Sequence, residues 1–545
     1  MRRCLINLTR FGDLLQTQPV IRAFRDQGDQ VSLICLENFA AAAELLDGLD
    51  QVLPLPGSGI LASLDRDWRL CTDSLATWVR DARAALRSDE VLNLTPSAGA
   101  RLLGRLMAFP AEQDPTHSAI LGGFGMDAHG FGKNGSPWGS YVQAVTARRG
   151  CSPFNLADGF FRMAGCAGTP DGTLRAPTEE ALDRARELIC RQQEQFLPAD
   201  TEHPRGYVAF QLGASREDRR WPVEYFAVLG RTLWEDGRML PLLLGTEEER
   251  PLAEQYLSLG GPGLNLAGKT SLPLLAATLR QCRLLITNDT GTMHLAAGQG
   301  IPILAIFLAT AQPWDTGPYR EHSCSLEPRM DCHPCSFNVS CPHGHACRHS
   351  IKPEALAEFA LTFLRNGIWE AGESIRRQAR VWRSERDDAG FMNLRSLSGD
   401  DREERGIWLH IQRDFYRHFL DRWSSETGQK VQEEKISPSP ATLSLFRPDS
   451  PLKLRILSTA EKASGTLLLA LEQGRLLKMR TTEKHRTAFL ATCARLSTIF
   501  SESADFVPLS LIWRTALQEH GGDLPAMFHF FALLREELSS LARQD

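Results

Sequence analysis

The sequence predicts an α/β protein with two doubly wound domains facing a cleft and a helical extension after them. Three observations predict it. Strand-like and helix-like segments alternate from residue 3, the alternation pauses and restarts near residue 205, and past residue 366 the strand signal fades. Alternation of this kind implies parallel sheets with right-handed helical crossovers. The expected boundaries are 1–197 and 205–365 for the two α/β domains and 370–545 for the extension.

In the first domain, Arg3–Leu8 reads as a strand, Leu14–Arg25 as a helix, and Val31–Leu36 as a second strand. Ala40–Leu46 reads as a helix, Gln51–Leu53 as a strand, Leu70–Leu86 as a helix and Glu90–Leu94 as a strand. Residues 110–140, rich in Gly and Pro, read as loops over the sheet, and Thr178–Gln195 as a charged helix. Pro198–Arg205 reads as a linker. The second domain then repeats the pattern: strands at Tyr207–Gln211, Leu240–Leu244, Leu264–Leu266, Leu284–Asn288 and Ile303–Phe307, with helices between them. In the extension, Ile407, Trp408, Ile411, Phe415, Phe419 and Trp423 form one helical stripe, and Lys430–Pro440 reads as a linker.

The composition narrows the function. The chain has 545 residues, so it holds roughly three or four domains. A formal net charge of −5 argues against a dedicated nucleic-acid binder, whose footprint is normally basic. No apolar run is long enough to span a membrane. The apolar start is broken by Asn7, Thr9, Arg10 and Asp13, which suits a first strand better than a signal peptide. Thirteen cysteines, most of them single and in apolar surroundings, fit reduced thiols and a cytoplasmic protein.

In such folds ligands bind beyond the C-terminal ends of the strands. Asn288-Asp289-Thr290-Gly291-Thr292-Met293-His294 lies at such an end. Asp289 or Thr290 can cap the next helix, Gly291 admits close approach, and first-turn N–H groups at the positive end of the helix dipole suit a phosphate. His294 falls about one turn in. Asn7–Leu15 lies at the end of the first strand. It lacks G-x-G-x-x-G, which argues against a dinucleotide dehydrogenase, and Asp13 there could act as a general base toward a hydroxyl or simply cap a helix. Gly213–Pro222 offers Ser215 and, in Arg219, a cation for a phosphate, or is a solvated charged loop before a helix started by Pro222. Asn265–Leu272 reads as a strand, turn and helix start that could cradle a base or ribose, although Thr/Ser capping also explains it. Cys332, Cys335, Cys341 and Cys347, with His333, His343, His345 and His349 among them, have the density of a structural zinc or iron site, but the spacing of the later pair is not that of a zinc ribbon. Free thiols or a disulfide are the competing readings.

These segments, in this order, resemble glycosyltransferase family 9, the ADP-heptose:lipopolysaccharide heptosyltransferases, over about residues 1–365. The stretch from Asn288 to Ala297 is the most specific element. Arg219–Pro222, Leu266–Leu272, the Gly12-Asp13 start and the late Cys/His stretch support it. The resemblance implies a GT-B fold with the acceptor site in the N-terminal domain and the nucleotide-sugar site in the C-terminal one. It implies inverting transfer with no catalytic metal. By position, Asp13 would be the general base, and Asp289, Thr290, Gly291 and Thr292 would hold the donor diphosphate and sugar with His294 beside them. Ser215 and Arg219 would contact phosphate, Glu247 the ribose and Thr270 the base region. Two positions depart from the pattern: Arg219 where members commonly carry Lys, and Leu308-Ala309-Thr310 where members often read Gly-Pro-Thr. Related protein heptosyltransferases that modify autotransporters carry cysteine-bound iron, which is the comparison for the cysteine cluster here.

The function expected is transfer of a sugar, heptose by resemblance, from an ADP-sugar to a lipopolysaccharide core or related lipid-linked saccharide. The expected place is the cytoplasm, with peripheral contact at the inner face of the inner membrane. A protein acceptor, a nucleotide-sugar epimerase or hydrolase on the same fold, and an inactive GT-B scaffold are the alternatives.

Overall fold

Short apolar runs closed by turn residues make the strands, and their burial follows the covering of parallel sheets on both faces. The computed structural model describes the whole chain apart from residues 65–66, 111–117, 148–151, 197–202, 338, 427–445 and 543–545. The Lys430–Pro440 linker and most of Pro198–Arg205 therefore lie outside the described residues. Two compact units emerge: residues 1–121, 154–161 and 168–398, and residues 122–153, 162–167 and 399–545.

The first unit contains two sheets. In the N-terminal sheet, β1 (Arg2–Ile6), β2 (Gln30–Leu36), β3 (Gln51–Leu55), β4 (Glu90–Asn93) and β5 (Ile120–Gly123) lie in the order β3-β2-β1-β4-β5. β1 pairs in parallel with both β2 and β4. A small antiparallel hairpin, β6 (Gly125–Met126) with β7 (Gly132–Lys133), belongs to the second unit. The other sheet of the first unit has eight strands: β8 (Gly206–Gln211), β9 (Met239–Leu244), β10 (Leu264–Asn265), β11 (Cys282–Asn288), β12 (Ile303–Ile306), β13 (Cys324–Pro328), β14 (Ala379–Arg386) and β15 (Met392–Ser396). Their order is β10-β9-β8-β11-β12-β13-β14-β15. β8 to β13 are parallel, and β14 and β15 close the edge as antiparallel strands. In both sheets the strand order reverses beside the central strand, which opens a crevice at its C-terminal end.

Two strands depart from the expected helical stretch starting at residue 370. Ala379–Arg386 carries four charged residues and reads as solvated surface, yet it pairs with β13. Two of its arginines donate to carbonyls, Arg380 to Pro328 O and Arg386 to Gly390 O and Pro170 O, and Arg383 pairs with Glu385 at 3.1 Å. In β13, fully buried Glu327 accepts from Trp382 Nε1 at 2.7 Å. Charge spent on local partners is invisible to a hydrophobicity pattern.

The second unit is mainly helical and recruits a segment from earlier in the chain. Residues 137–147 form a helix whose Trp138 Nε1 donates to Asp421 at 2.7 Å. The expected stripe on Glu404–Glu426 is buried from Ile407 to Trp423, with Trp408 and Phe415 edge-on to Phe506. Among the described residues no helix is long and apolar enough to cross a membrane.

Asn288, at the C-terminal end of β11, ties the first unit's central strands together. Its Nδ2 donates to the carbonyls of Leu212 at 2.9 Å and Gly213 at 3.2 Å, while its Oδ1 accepts from Trp221 N at 2.9 Å. Trp221 is fully buried and donates Nε1 to Ile351 O. Asn288→Ala strips partners from several buried groups at once, so it should cost about 2–4 kcal/mol. Urea unfolding midpoints at unchanged slope check this.

Candidate active site

Asp13 sits on a short helix, α1 (Phe11–Leu15), that follows β1. Asn7, fully buried at the strand end, fixes the turn. Its Nδ2 donates to Thr17 Oγ1 at 2.7 Å and to the Asp13 carbonyl at 3.3 Å, and its Oδ1 accepts from Thr9 N. Gln16 Nε2 reaches Asp13 Oδ1 at 3.5 Å. Asp13 itself is half-buried.

The β11 end leads through Asp289 and Thr290 into α2 (Gly291–Gly298). Thr290 is the N-cap residue, but its side chain makes no capping bond; its Oγ1 lies 3.2 Å from Thr287 Oγ1. Thr292 donates to Gln211 Oε1 at 3.0 Å, and Gln211 donates to Glu249 Oε2 at 3.0 Å. The same carboxylate oxygen accepts from Thr246 N. A polar chain thus links the ends of β11, β8 and β9. Gly213 is held close to it, since a Cβ there would overlap the Glu249 carboxylate at 1.6 Å.

The two strand ends meet at two glycines. A Cβ on Gly12 would come within 2.8 Å of His294 Cδ2 and 3.3 Å of the Gly291 Cα. A Cβ on Gly291 would come within 2.2 Å of Phe11 Cδ1. The α1 backbone therefore lies directly on the start of α2. Asp13 follows Gly12 on this same helix. His294 is buried under Gly12, with 8% of its surface exposed.

Arg219 completes this side. It follows the β8 end on a one-turn helix, Glu217–Arg219. Its Nε donates to Thr310 Oγ1 at 2.9 Å, a second guanidinium nitrogen donates to the same oxygen, and Nη1 lies 3.5 Å from Asp289 Oδ2. The guanidinium also faces the Phe337 ring. A cation beside a helix start suits an anion such as a phosphate. Behind Thr310, Ala309 has φ +54°, a left-handed conformation that costs energy for a residue with a Cβ. Cys335 N donates to Ala309 O at 2.8 Å, and His333 Nε2 lies 3.0 Å from Ala311 O. The Cys/His stretch is thus a buttress for the loop that holds Arg219.

Each nominated position can now be placed. Asp289, Thr290, Gly291, Thr292, His294 and Arg219 come together, and the helix that carries Asp13 lies against them. Ser215 is exposed, on the same loop as Arg219. Glu247 has an exposed side chain paired with Arg250 and overhangs Gly268. Thr270, half-buried, lies two residues after that glycine. Glu247 and Thr270 thus mark the β9 and β10 ends, but the polar chain runs through Glu249. Gln211, Glu249 and Thr310 were not nominated. Gln211 had a signal, as a buried amide in the last position of a strand.

The four cysteines of the cluster lie near one another. Burial pushes the Cys335 thiol up to about 11, and the neighbouring Cys347, Cys332 and Cys341 add to the rise. Among the described residues, however, no three His, Cys, Asp or Glu side chains are arranged to hold a metal ion. The zinc or iron reading finds no support in this arrangement.

The close approach has a measurable energy. Gly291→Ala forces a methyl into the Phe11 ring and should cost about 1–3 kcal/mol. Phe11→Ala in the same chain should relieve part of that, so the two losses should fall short of additive in thermal unfolding.

Residues 174–344 match the sequence model of glycosyltransferase family 9 (heptosyltransferase). The lipooligosaccharide heptosyltransferase 2 of Campylobacter jejuni is 31% identical over 153 residues, 27% of this chain and 47% of that protein. The lipopolysaccharide heptosyltransferase 1 of Pseudomonas aeruginosa is 28% identical over 170 residues, 29% of this chain and 47% of that protein. The chain spans about half the length of these curated relatives. Among solved structures, the ADP-heptose lps heptosyltransferase II of Escherichia coli aligns with 67% of this chain and 99% of its own, at 16% identity and a TM-score of 0.47. The resemblance to glycosyltransferase family 9 therefore stands on the matched segment, which contains the Arg219 loop, Asp289–His294 and Thr310.

Proposed function

We propose that the chain is an inverting glycosyltransferase of the GT-B type that moves a sugar, heptose, from an ADP-sugar to a lipopolysaccharide core or related lipid-linked saccharide. One observation supports the reading: Gly12 lies on Gly291 and His294, so the helix that carries Asp13 packs against the Asp289–His294 segment within one unit. The family match over residues 174–344 supplies the reaction class. The two sheets of that unit, parallel at their centres, support the GT-B reading.

In this reading the diphosphate of the donor lies at the start of α2, where the helix dipole and Arg219 offset its charge. Thr292 and Asp289 orient the donor, and the Gln211–Glu249 chain keeps Thr292 in place. Ser215 contributes at the edge of the phosphate site, with Glu247 and Thr270 toward the nucleoside. Asp13 takes the proton of the acceptor hydroxyl as its oxygen attacks the anomeric carbon from the face opposite the departing ADP, which inverts the configuration. The carbon–oxygen bond to ADP breaks as the new glycosidic bond forms. No metal takes part in these steps. A membrane-borne acceptor would bring the enzyme to the inner face of the inner membrane from the cytoplasm.

Asp13→Asn removes the base but keeps the shape. It should lower kcat for transfer from ADP-heptose by about 10²–10⁴ while leaving donor affinity near that of the wild type. Full turnover in that variant would refute the base assignment. Release of ADP from the donor at the same rate with and without acceptor would mark a hydrolase instead.

A further inference from the structure

The second unit carries a feature that the transfer reaction does not use. Its longest helix, α3 (Pro451–Met479), buries one face against α4 (Glu483–Glu502) and α5 (Leu524–Ala542). The opposite face exposes five apolar side chains, Leu454 at 55%, Leu468 at 39%, Leu469 at 41%, Leu476 at 50% and Met479 at 83%, among charged ones that include Glu461, Lys462 and Glu472. Single exposed apolar residues are ordinary, but Leu468, Leu469, Leu476 and Met479 recur on one face of the C-terminal part of the helix, and such a stripe marks an interaction surface. Gly465 sits in the helix interior, where glycine costs roughly 1 kcal/mol against alanine. Nothing lies within 4 Å of the Cβ position there, so no packing within the chain calls for a glycine.

The order of residues along this face is self-complementary. About a two-fold axis at residue 467, the positions of one helix meet those of an antiparallel copy whose numbers sum to 934. Lys462 then faces Glu472 of the copy, and this pair occurs twice. Both residues are exposed, and neither has an ion-pair partner among the described residues. Leu469 faces the gap over Gly465, also twice, and Leu476 faces the small Ser458. Leu454 falls opposite Met479, one residue off the sum. An isologous contact requires this property, since each patch must match itself. Glu461 and Glu472 on this face oppose burial in lipid, whereas an antiparallel copy supplies a cation to Glu472. Two stripes joined would bury on the order of 1,000 Å² in total, the threshold for a specific contact.

We propose that the chain forms a two-fold homodimer through the antiparallel pairing of α3 with α3 of a second copy. Glycine at 465 lets the helices approach, with Leu469 as the knob that enters. The reading uses the second unit alone and stands whatever the reaction of the first.

Charge exchange tests it. Sedimentation equilibrium of the full chain should show a dimer for the wild type. K462E sets Glu against Glu twice and E472K sets Lys against Lys twice, so each should weaken the dimer at least tenfold. The double variant K462E/E472K should restore it to within threefold of the wild type. All three should keep the far-UV dichroism of the native chain, because the positions are exposed. A monomeric wild type would overturn the proposal. So would a dimer indifferent to the single variants, a double variant no better than either, or wild-type chain that binds anionic vesicles without self-associating.

Discussion

The candidate site depends on one steric constraint: two glycines where the ends of two sheets touch. At Gly12 and Gly291 the backbones of α1 and α2 lie so close that a methyl on either would strike the facing helix or ring. Small-residue contact of this kind trades backbone entropy for proximity. What it secures is the position of Asp13 relative to the start of α2. Neither helix could do this alone, because α1 is a single turn and α2 is eight residues long. Each is fixed by polar groups buried at its strand end, Asn7 for α1 and Asn288 for α2. Two buried asparagines thus do the same work in the two sheets, pinning a loop by its carbonyls and amides where no regular ladder can.

Around that contact the second sheet arranges charge. Arg219 is clamped between Thr310 and Asp289, and Thr310 rests on the Cys/His stretch through Ala309 and Ala311. That stretch needs no metal to matter. It occupies the back of the loop after β12, where Cys335 and His333 meet backbone carbonyls of that loop. The left-handed Ala309 is tolerated because Cys335 and the buried residues around it over-determine the turn.

Much of this was legible in the sequence. The alternation of strands and helices located both sheets, and the expected element at Leu284–Asn288 differs from the observed β11 only at its start. The Asp289–His294 segment stood out because a strand end, a glycine and polar side chains coincide there. What was not legible falls into two kinds. β14 carries arginines whose hydrogen-bonding carbonyls sequence cannot place, so the stretch reads as helix. The recruitment of residues 122–153 into the second unit depends on long-range pairs such as Trp138 with Asp421, which leave no local signal. Likewise Glu249 and Glu247 are indistinguishable in sequence; only the fold shows that Gln211 reaches the former.

The central claim is that one unit joins an anion seat at the start of α2 to a carboxylate from α1 that does not itself hold the nucleotide. Calorimetric titration of ADP into the wild type, Asp13→Asn and Arg219→Gln tests it most directly. The account predicts equal affinity for the first two and at least a tenfold loss for the third, about 1.4 kcal/mol or more. No heat of binding to the wild type, or the same affinity in all three, would contradict it.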